Sequence, residues 1–315
     1  MTHLNFITLD VFTSTPYSGN PLAVVFLPED PAHALTQRQK QTLAQEFNLS
    51  ESIFVHPVTE ATKRTIDIFT TDCEIPFAGH PTIGAASWFL THSANPADGP
   101  GITTLATKSG DIPITIQDAA SKYVAAQIAH NTRIHGARFG VKELLRLHPT
   151  LAPFFPKEDV TFPLFSVVKG MSQLFIELGS LEALAAVTPA TGGEFVSSDY
   201  LDEGWRAGLV CVYFIVRGVW DDVLGREVIR ARMMLGTLED PATGSSASGL
   251  AAYLSLTEGR AGQDLDYHVV QGVEMGRRSD IGVGVSLDGE KKIEKVVLTG
   301  TAVCVSEGKV LIPQA

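Results

Sequence analysis

His80, Ser245, Asp240 and Glu51 are the side chains through which this chain could hold an anion or move a proton. His80 and Ser245 occupy equivalent places in two related stretches. Glu74–Leu90 (EIPFAGHPTIGAASWFL) and Leu238–Tyr253 (LEDPATGSSASGLAAY) match at one constant offset (239 − 74 = 165). Glu74 pairs with Glu239, Pro76 with Pro241, Gly79 with Gly244 and Gly84 with Gly249, and His80 falls opposite Ser245. Each copy has an acidic residue, a turn with Pro and Gly, and then a run of small and apolar residues without Asp, Glu, Lys or Arg. A helix that is apolar or small all round is buried on every side. The first turn of such a helix leaves backbone N–H groups unpaired, and the macrodipole adds partial positive charge there. Gly79-His80 and Gly244-Ser245 can therefore bind a carboxylate without Arg or Lys.

Each of these residues also has a plainer reading. A lone His before Pro is commonly structural, Asp240-Pro241 and Thr243-Gly244 are ordinary turn chemistry, and Ser245 could be an N-cap. Glu51, in Asn48–Ser52 (NLSES), could be a solvated carboxylate after a helix. The paired context raises the first three above that background; Glu51 gains nothing from it. Ser, His and Asp are the residue types of a hydrolase triad, but the G-x-S-x-G elbow fails because Ser248 stands where glycine is required. No P-loop, H-E-x-x-H or dinucleotide fingerprint is present, so nothing points to a metal, nucleotide or flavin.

The elements that must position these groups follow from periodicity. Leu4–Phe12 and Pro21–Leu27 alternate like strands around a Tyr17–Asn20 turn, and Thr36–Phe47 has helical spacing. The buried helices are expected at Pro81–Leu90 and Ser245–Thr257. Between them, Val141–Leu147 reads as helix, and Phe162–Lys169 with Gln173–Leu178 echoes the opening hairpin. Further strands are expected at Leu209–Val216, Val228–Leu235 and at several places after Leu265. A self-match at one fixed offset signals duplication. Two domains follow, 1–118 and 119–315, joined around Asp118–Ser121. Many strands around one fully buried helix per half imply an α+β architecture of two similar β-barrels, each wrapped around a central helix. If the halves face each other, His80, Asp240 and Ser245 share a cleft.

Composition bounds the partners. Hydrophobic content of 44% with 19% charged residues is ordinary for a globular chain, and the net charge of −11 (24 basic, 35 acidic) disfavours nucleic acid or an anionic membrane. The start lacks the basic and apolar regions of a signal peptide, and no apolar run is long enough to span a bilayer. Three widely spaced cysteines, Cys73, Cys211 and Cys304, make neither a disulfide framework nor a zinc signature, which suits the cytoplasm.

Five segments, in order, resemble the phenazine-biosynthesis PhzF-like family: Asp10–Val25 (DVFTSTPYSGNPLAVV), Asn48–Val55 (NLSESIFV), Ile68–Gly84 (IFTTDCEIPFAGHPTIG), Glu239–Ala247 (EDPATGSSA) and Gln271–Arg277 (QGVEMGR). The resemblance implies the diaminopimelate-epimerase-like fold, a homodimer in which the last strand, about 301–315, can return to the first domain, and proton transfer without a cofactor. By motif it makes Glu51 the proton-shuttling carboxylate, with His80, Asp240 and Ser245 lining the site. Asn20, Gly79, Gly244 and Gly272 become the substrate-binding positions, for a small anionic metabolite. The related epimerases use two cysteines at the helix starts, where this chain has His80 and Ser245; a two-thiol racemase is not expected. The resemblance implies an isomerase similar to dihydro-hydroxyanthranilate isomerases. A member that binds a metabolite without turnover, or a hydrolase using Ser245, is the alternative.

Overall fold

The computed structural model describes residues 3–157 and 159–314. The chain forms two compact units, residues 1–128 with 298–315, and residues 129–297.

In the first unit, β1 (His3–Val11) and β2 (Asn20–Phe26) make the opening antiparallel hairpin. Gly19 in its turn has φ +66°, and a Cβ there would lie 2.3 Å from the Val11 carbonyl oxygen, so the close return demands glycine. α1 (Gln37–Phe47) starts in a capping box: Thr36 accepts from the Gln39 N–H, and the Gln39 side chain accepts from the Thr36 N–H. It ends at Asn48, which takes the left-handed conformation (φ 50°) that Asn tolerates. β3 (Ser52–Val55) runs parallel to β2, and β4 (Lys63–Phe69) antiparallel to β3. The short β5 (Glu74–Ile75) folds back on β4 and leads into α2 (Gly79–Ser87). β6 (Thr104–Thr107) is parallel to β4, and β7 (Gly110–Asp118) and β8 (Tyr123–Gln127) follow antiparallel.

The second unit opens with β9 (Arg133–Gly140), α3 (Val141–Leu147), β10 (Thr161–Val168), β11 (Met171–Glu177) and α4 (Leu181–Ala185). β12 (Leu209–Asp221), β13 (Arg226–Leu235) and β14 (Leu238–Asp240) lead into α5 (Gly244–Glu258). β15 (Asp264–Gln271), β16 (Ser279–Leu287) and β17 (Ile293–Gly300) follow. β18 (Ala302–Leu311) belongs to the first unit, antiparallel to β1 with Leu311 opposite His3.

The duplication is visible in the pairings. From β1 to β7 the order is antiparallel, parallel, antiparallel, antiparallel, parallel, antiparallel; from β10 to β16 it is the same. Each sheet curves around its helix. α2 packs against β1, β2, β3, β6, β8 and β18, and α5 against β10, β11, β15 and β16. All nine residues of α2 are buried, and in α5 the run from Ser246 to Ala252 is buried without a break. Mid-helix glycines allow the contact: a Cβ on Gly84 would lie 2.4 Å from Leu22 Cδ2, and one on Gly249 2.5 Å from Gln173 Oε1. The architecture is α+β, as the sequence implies, with the wrapped sheets left open rather than closed into rings among the described residues.

Two boundaries and one strand stand out against the sequence reading. The units join after Ile128 rather than at Asp118–Ser121, because β8 hydrogen-bonds to β7 across that exposed turn. α2 stops at Ser87 and continues as a π-helical turn, Trp88–His92, with the Ser93 N–H donating to the Trp88 carbonyl at 2.9 Å. β9 was not expected at all, since its sequence, RIHGARFG, hides the alternation behind charged, exposed residues. No helix among the described residues is long and apolar enough to cross a membrane.

Candidate functional site

In the first unit, three sequence candidates come together. Glu51 sits between the left-handed cap of α1 and the fully buried β3, so a rigid strand fixes its backbone. Its side chain is 19% exposed, and burial pushes the carboxyl up to about 7, against a smaller opposing effect of the Ser50 hydroxyl. His80, the second residue of α2, is buried, with Nδ1 3.3 Å from Glu51 Oε2. Asn20, the buried first residue of β2, brings its Nδ2 to 3.5 Å from the same Nδ1. Its Oδ1 accepts from Ser50 Oγ at 3.4 Å, which turns the amide nitrogen toward the ring. An Asn20 donor asks His80 Nδ1 for its lone pair, and that lone pair in turn suits a protonated Glu51.

In the second unit, Asp240 ends β14 and is 8% exposed. Thr243 Oγ1 donates to Asp240 Oδ2 at 2.5 Å. Gln271, at the end of β15, holds the turn between them: its Nε2 donates to the Asp240 carbonyl at 2.7 Å and to Thr243 Oγ1 at 3.1 Å. Its Oε1 accepts from the Thr243 N–H at 3.2 Å and from the Tyr213 hydroxyl at 2.9 Å. Burial, and then the charge of Asp240, push the Tyr213 phenol up, so it stays a donor. Gly272 has φ +74°, and a Cβ on it would lie 2.6 Å from the Pro241 carbonyl oxygen; only glycine lets this loop pack on the turn before α5. Gly244 and Ser245 are the first two residues of α5, Gly244 buried and Ser245 partly exposed.

Neither helix start carries a side-chain cap. The residue before α2 is Ala78, which has no side-chain oxygen, and Thr243 before α5 spends its hydroxyl on Asp240. A first turn without a side-chain cap can donate its backbone N–H groups to an acceptor such as a carboxylate oxygen. Sequence reading missed Ser50, Thr243 and Gln271, although each adjoins or lies within a quoted motif. A glutamine ending the apolar run His268–Gln271 was the available signal, since a buried polar side chain must be hydrogen-bonded.

A serine–histidine contact in the second unit does not involve Ser245. It is a buried pair of Ser166 with His135, Nε2 to Oγ 2.8 Å. His135 Nδ1 accepts from the Asp202 N–H at 3.0 Å, so the neutral ring carries its proton on Nε2 and donates to the serine, the reverse of a general base. Cys73 precedes β5, Cys211 lies on β12 and Cys304 on β18, none at a helix start. Among the described residues, no three His, Cys, Asp or Glu are grouped to hold a metal.

Comparison with known proteins fits this picture. The family described as "Phenazine biosynthesis-like protein" matches residues 9–308. A trans-2,3-dihydro-3-hydroxyanthranilate isomerase of Pseudomonas fluorescens is 30% identical over 311 residues, covering 98% of this chain and 99% of its own. The crystal structure of a Bacillus anthracis phenazine biosynthesis protein of the PhzF family superposes with a TM-score of 0.77 at 22% identity, over 99% of this chain and 100% of that one. A hydroxyproline epimerase from Agrobacterium vitis shares the fold more distantly, with a TM-score of 0.61 at 12% identity over 98% of this chain and 92% of its own. The chain belongs to the phenazine biosynthesis-like PhzF family and is an isomerase of that family.

Proposed function

We propose that this isomerase works without a cofactor, moving a proton between two carbons of a small carboxylate. The observation that carries the reading is Glu51: a carboxyl pushed to about 7 by burial, touching His80 at an uncapped helix start. Such a group takes a proton from an acidic C–H, the bonding pair enters the substrate's conjugated system, and a proton that can exchange with solvent while Glu51 holds it returns at another carbon. Atoms and charge balance within one molecule, and an acid–base group poised near neutrality serves both halves of the cycle. His80 and Asn20 orient the substrate and share the proton's hydrogen bonds. By motif, we assign Ser245 and the N–H groups of Gly79 and Gly244 at the helix starts to the carboxylate and the developing negative charge, Asp240 to accepting a hydrogen bond from a substrate N–H or O–H donor, and Gly272 to packing behind the turn. The 30% identity to a trans-2,3-dihydro-3-hydroxyanthranilate isomerase makes dihydroaromatic amino acids the first substrates to try. The setting we assign is a cytoplasmic homodimer, which light scattering on the purified protein tests.

The test is deuterium incorporation from heavy water into trans-2,3-dihydro-3-hydroxyanthranilate and related carboxylates, followed by proton NMR. Exchange with the wild-type protein and none above background with Glu51→Gln is the expected result. Wild-type exchange rates in Glu51→Gln overturn the assignment.

A further inference from the structure

The hydrogen bonds around Gln271 have a fixed direction, and that direction says what the residue does. Backbone groups cannot change role: the Thr243 N–H only donates and the Asp240 carbonyl only accepts. The first therefore meets Oε1 and the second Nε2, which settles the amide orientation. With Nε2 oriented, its second hydrogen goes to Thr243 Oγ1 at 3.1 Å. Thr243 then has one hydroxyl proton and one acceptor within reach, Asp240 Oδ2 at 2.5 Å. Tyr213 closes the set by donating to Oε1 at 2.9 Å, so all four hydrogen-bonding positions of the amide are used. Gln271 and Tyr213 are fully buried, so water does not compete for these bonds.

We infer that Gln271 is a positioning residue: acting through Thr243, it holds Asp240 as a hydrogen-bond-accepting carboxylate and pins the turn that starts α5. The inference rests on the proposed function for the importance of Asp240, but not for the relay itself. Without Nε2, the Thr243 hydroxyl can rotate and accept instead of donate, and Asp240 loses the bond that favours its charged form. The ionisable groups nearest Asp240 along the elements around it include Tyr213 on β12, Arg230 and Arg232 on β13, Glu239 on β14, and Glu274 and Arg277 after β15; Cys211, Arg217 and Asp221 on β12, Arg226 and Glu227 on β13, and Asp264, Asp266, Tyr267 and His268 on β15 are the others these elements carry. Arg232 is taken up by Glu239 and Arg230 by Glu274, while Tyr213 is kept neutral.

The experiment follows the Asp240 13Cγ resonance against pH in full-length protein labelled at aspartate. Gln271→Met keeps the length and apolar volume but has no donor; Thr243→Val removes the relayed hydroxyl; Thr243→Ser keeps it. Proton affinity of Asp240 is expected to rise about tenfold or more in Gln271→Met and in Thr243→Val, the scale of one hydrogen bond to a charged group. It should stay at the wild-type value in Thr243→Ser, and the Gln271→Met/Thr243→Val double variant should rise no further than Thr243→Val. A wild-type titration in Gln271→Met, or shifts that add in the double variant, overturns the relay. Should Gln271→Met fail to fold, Thr243→Val decides alone: no rise there removes the hydroxyl from the argument and overturns it equally. Because the resonance reports without turnover, a relay confirmed in a protein that exchanges no carbon-bound proton would defeat the isomerisation mechanism and leave this inference standing.

Discussion

A carboxylate that is to take a proton from carbon and give it back must be partly protonated near neutral pH, and Glu51 meets that condition through burial rather than through a like-charged neighbour. The same burial has a cost in stability. Ionising Glu51 in the fold is disfavoured by the difference between its ordinary 4.5 and about 7, or roughly 3 kcal/mol. Below about pH 4.5 folded and unfolded chains both carry the proton and there is no penalty; across the window to pH 7 the penalty grows, and above it the whole cost is present. Glu51→Gln, which cannot ionise, should therefore leave stability at pH 4 unchanged and raise it at pH 8 by up to ~3 kcal/mol, read from denaturant midpoints. An equal gain at both pH values would mean that packing, not charge, is responsible. The same variant should lose at least ~10²-fold in turnover with substrate affinity largely kept, the low end for a lost acid–base group. Asp240→Asn, which keeps the shape but lacks the charge, should cost turnover less than Glu51→Gln on the same substrate.

The two buried helices set where those residues lie, and their glycines set how close the surrounding strands come. Gly84 is instructive because two effects of similar size oppose each other there. Alanine in a helix interior gains about 1 kcal/mol over glycine, but the new methyl would meet Leu22 Cδ2 at 2.4 Å and Val11 Cγ2 at 3.0 Å. Overpacking costs about 1–3 kcal/mol, so Gly84→Ala should be neutral to destabilising by up to ~2 kcal/mol. Leu22→Ala alone should cost about 2–5 kcal/mol, and the double variant less than the sum, as for any pair sharing one space. Strict additivity in urea unfolding would show that the helix shifts instead of the leucine. These helices were legible in the sequence because burial on every side removes charged residues, and because the pattern occurs twice. The start of α1 was legible as well, since Thr36 and Gln39 form a local signal. What was not legible is tertiary. β9 is an edge strand whose register comes from β10, and the π-helical turn at Trp88 leaves no local mark. His80 and Glu51 were named separately, but their 3.3 Å contact joins residues from different elements, and the four bonds of Gln271 join three.

At the scale of the molecule, a chain with 35 acidic and 24 basic residues has no general attraction for an anion, so any carboxylate it binds must be held by local donors. The uncapped first turns of α2 and α5 are such donors, and titration calorimetry with small aromatic carboxylates and dicarboxylates should show saturable binding; its absence for all of them would count against the anion-binding role. The duplication carries a second consequence, in the connectivity. In the second unit, β9 precedes β10 in the chain and pairs with it antiparallel. The corresponding partner of β1 is β18, from the far end of the sequence, paired antiparallel with Leu311 opposite His3. His3 and Leu311 are therefore adjacent, and a linker of about six residues suffices to join them as a hairpin loop. A circular permutant that joins Leu311 to His3 through such a linker and opens the chain in the exposed turn between Ala120 and Ser121 keeps the β1–β18 and β7–β8 pairings. It should fold cooperatively, with a melting midpoint within a few degrees of the parent. Deleting residues 302–315 is the opposite case, because it strips β1 of a partner along its whole length and bares the buried Leu4, Ile7 and Leu9. That truncated chain should lose its cooperative transition and aggregate. If the truncation melts like the parent, β18 is a decoration; if the permutant fails while the truncation survives, His3 and Leu311 are not the neighbours that the β1–β18 register makes them.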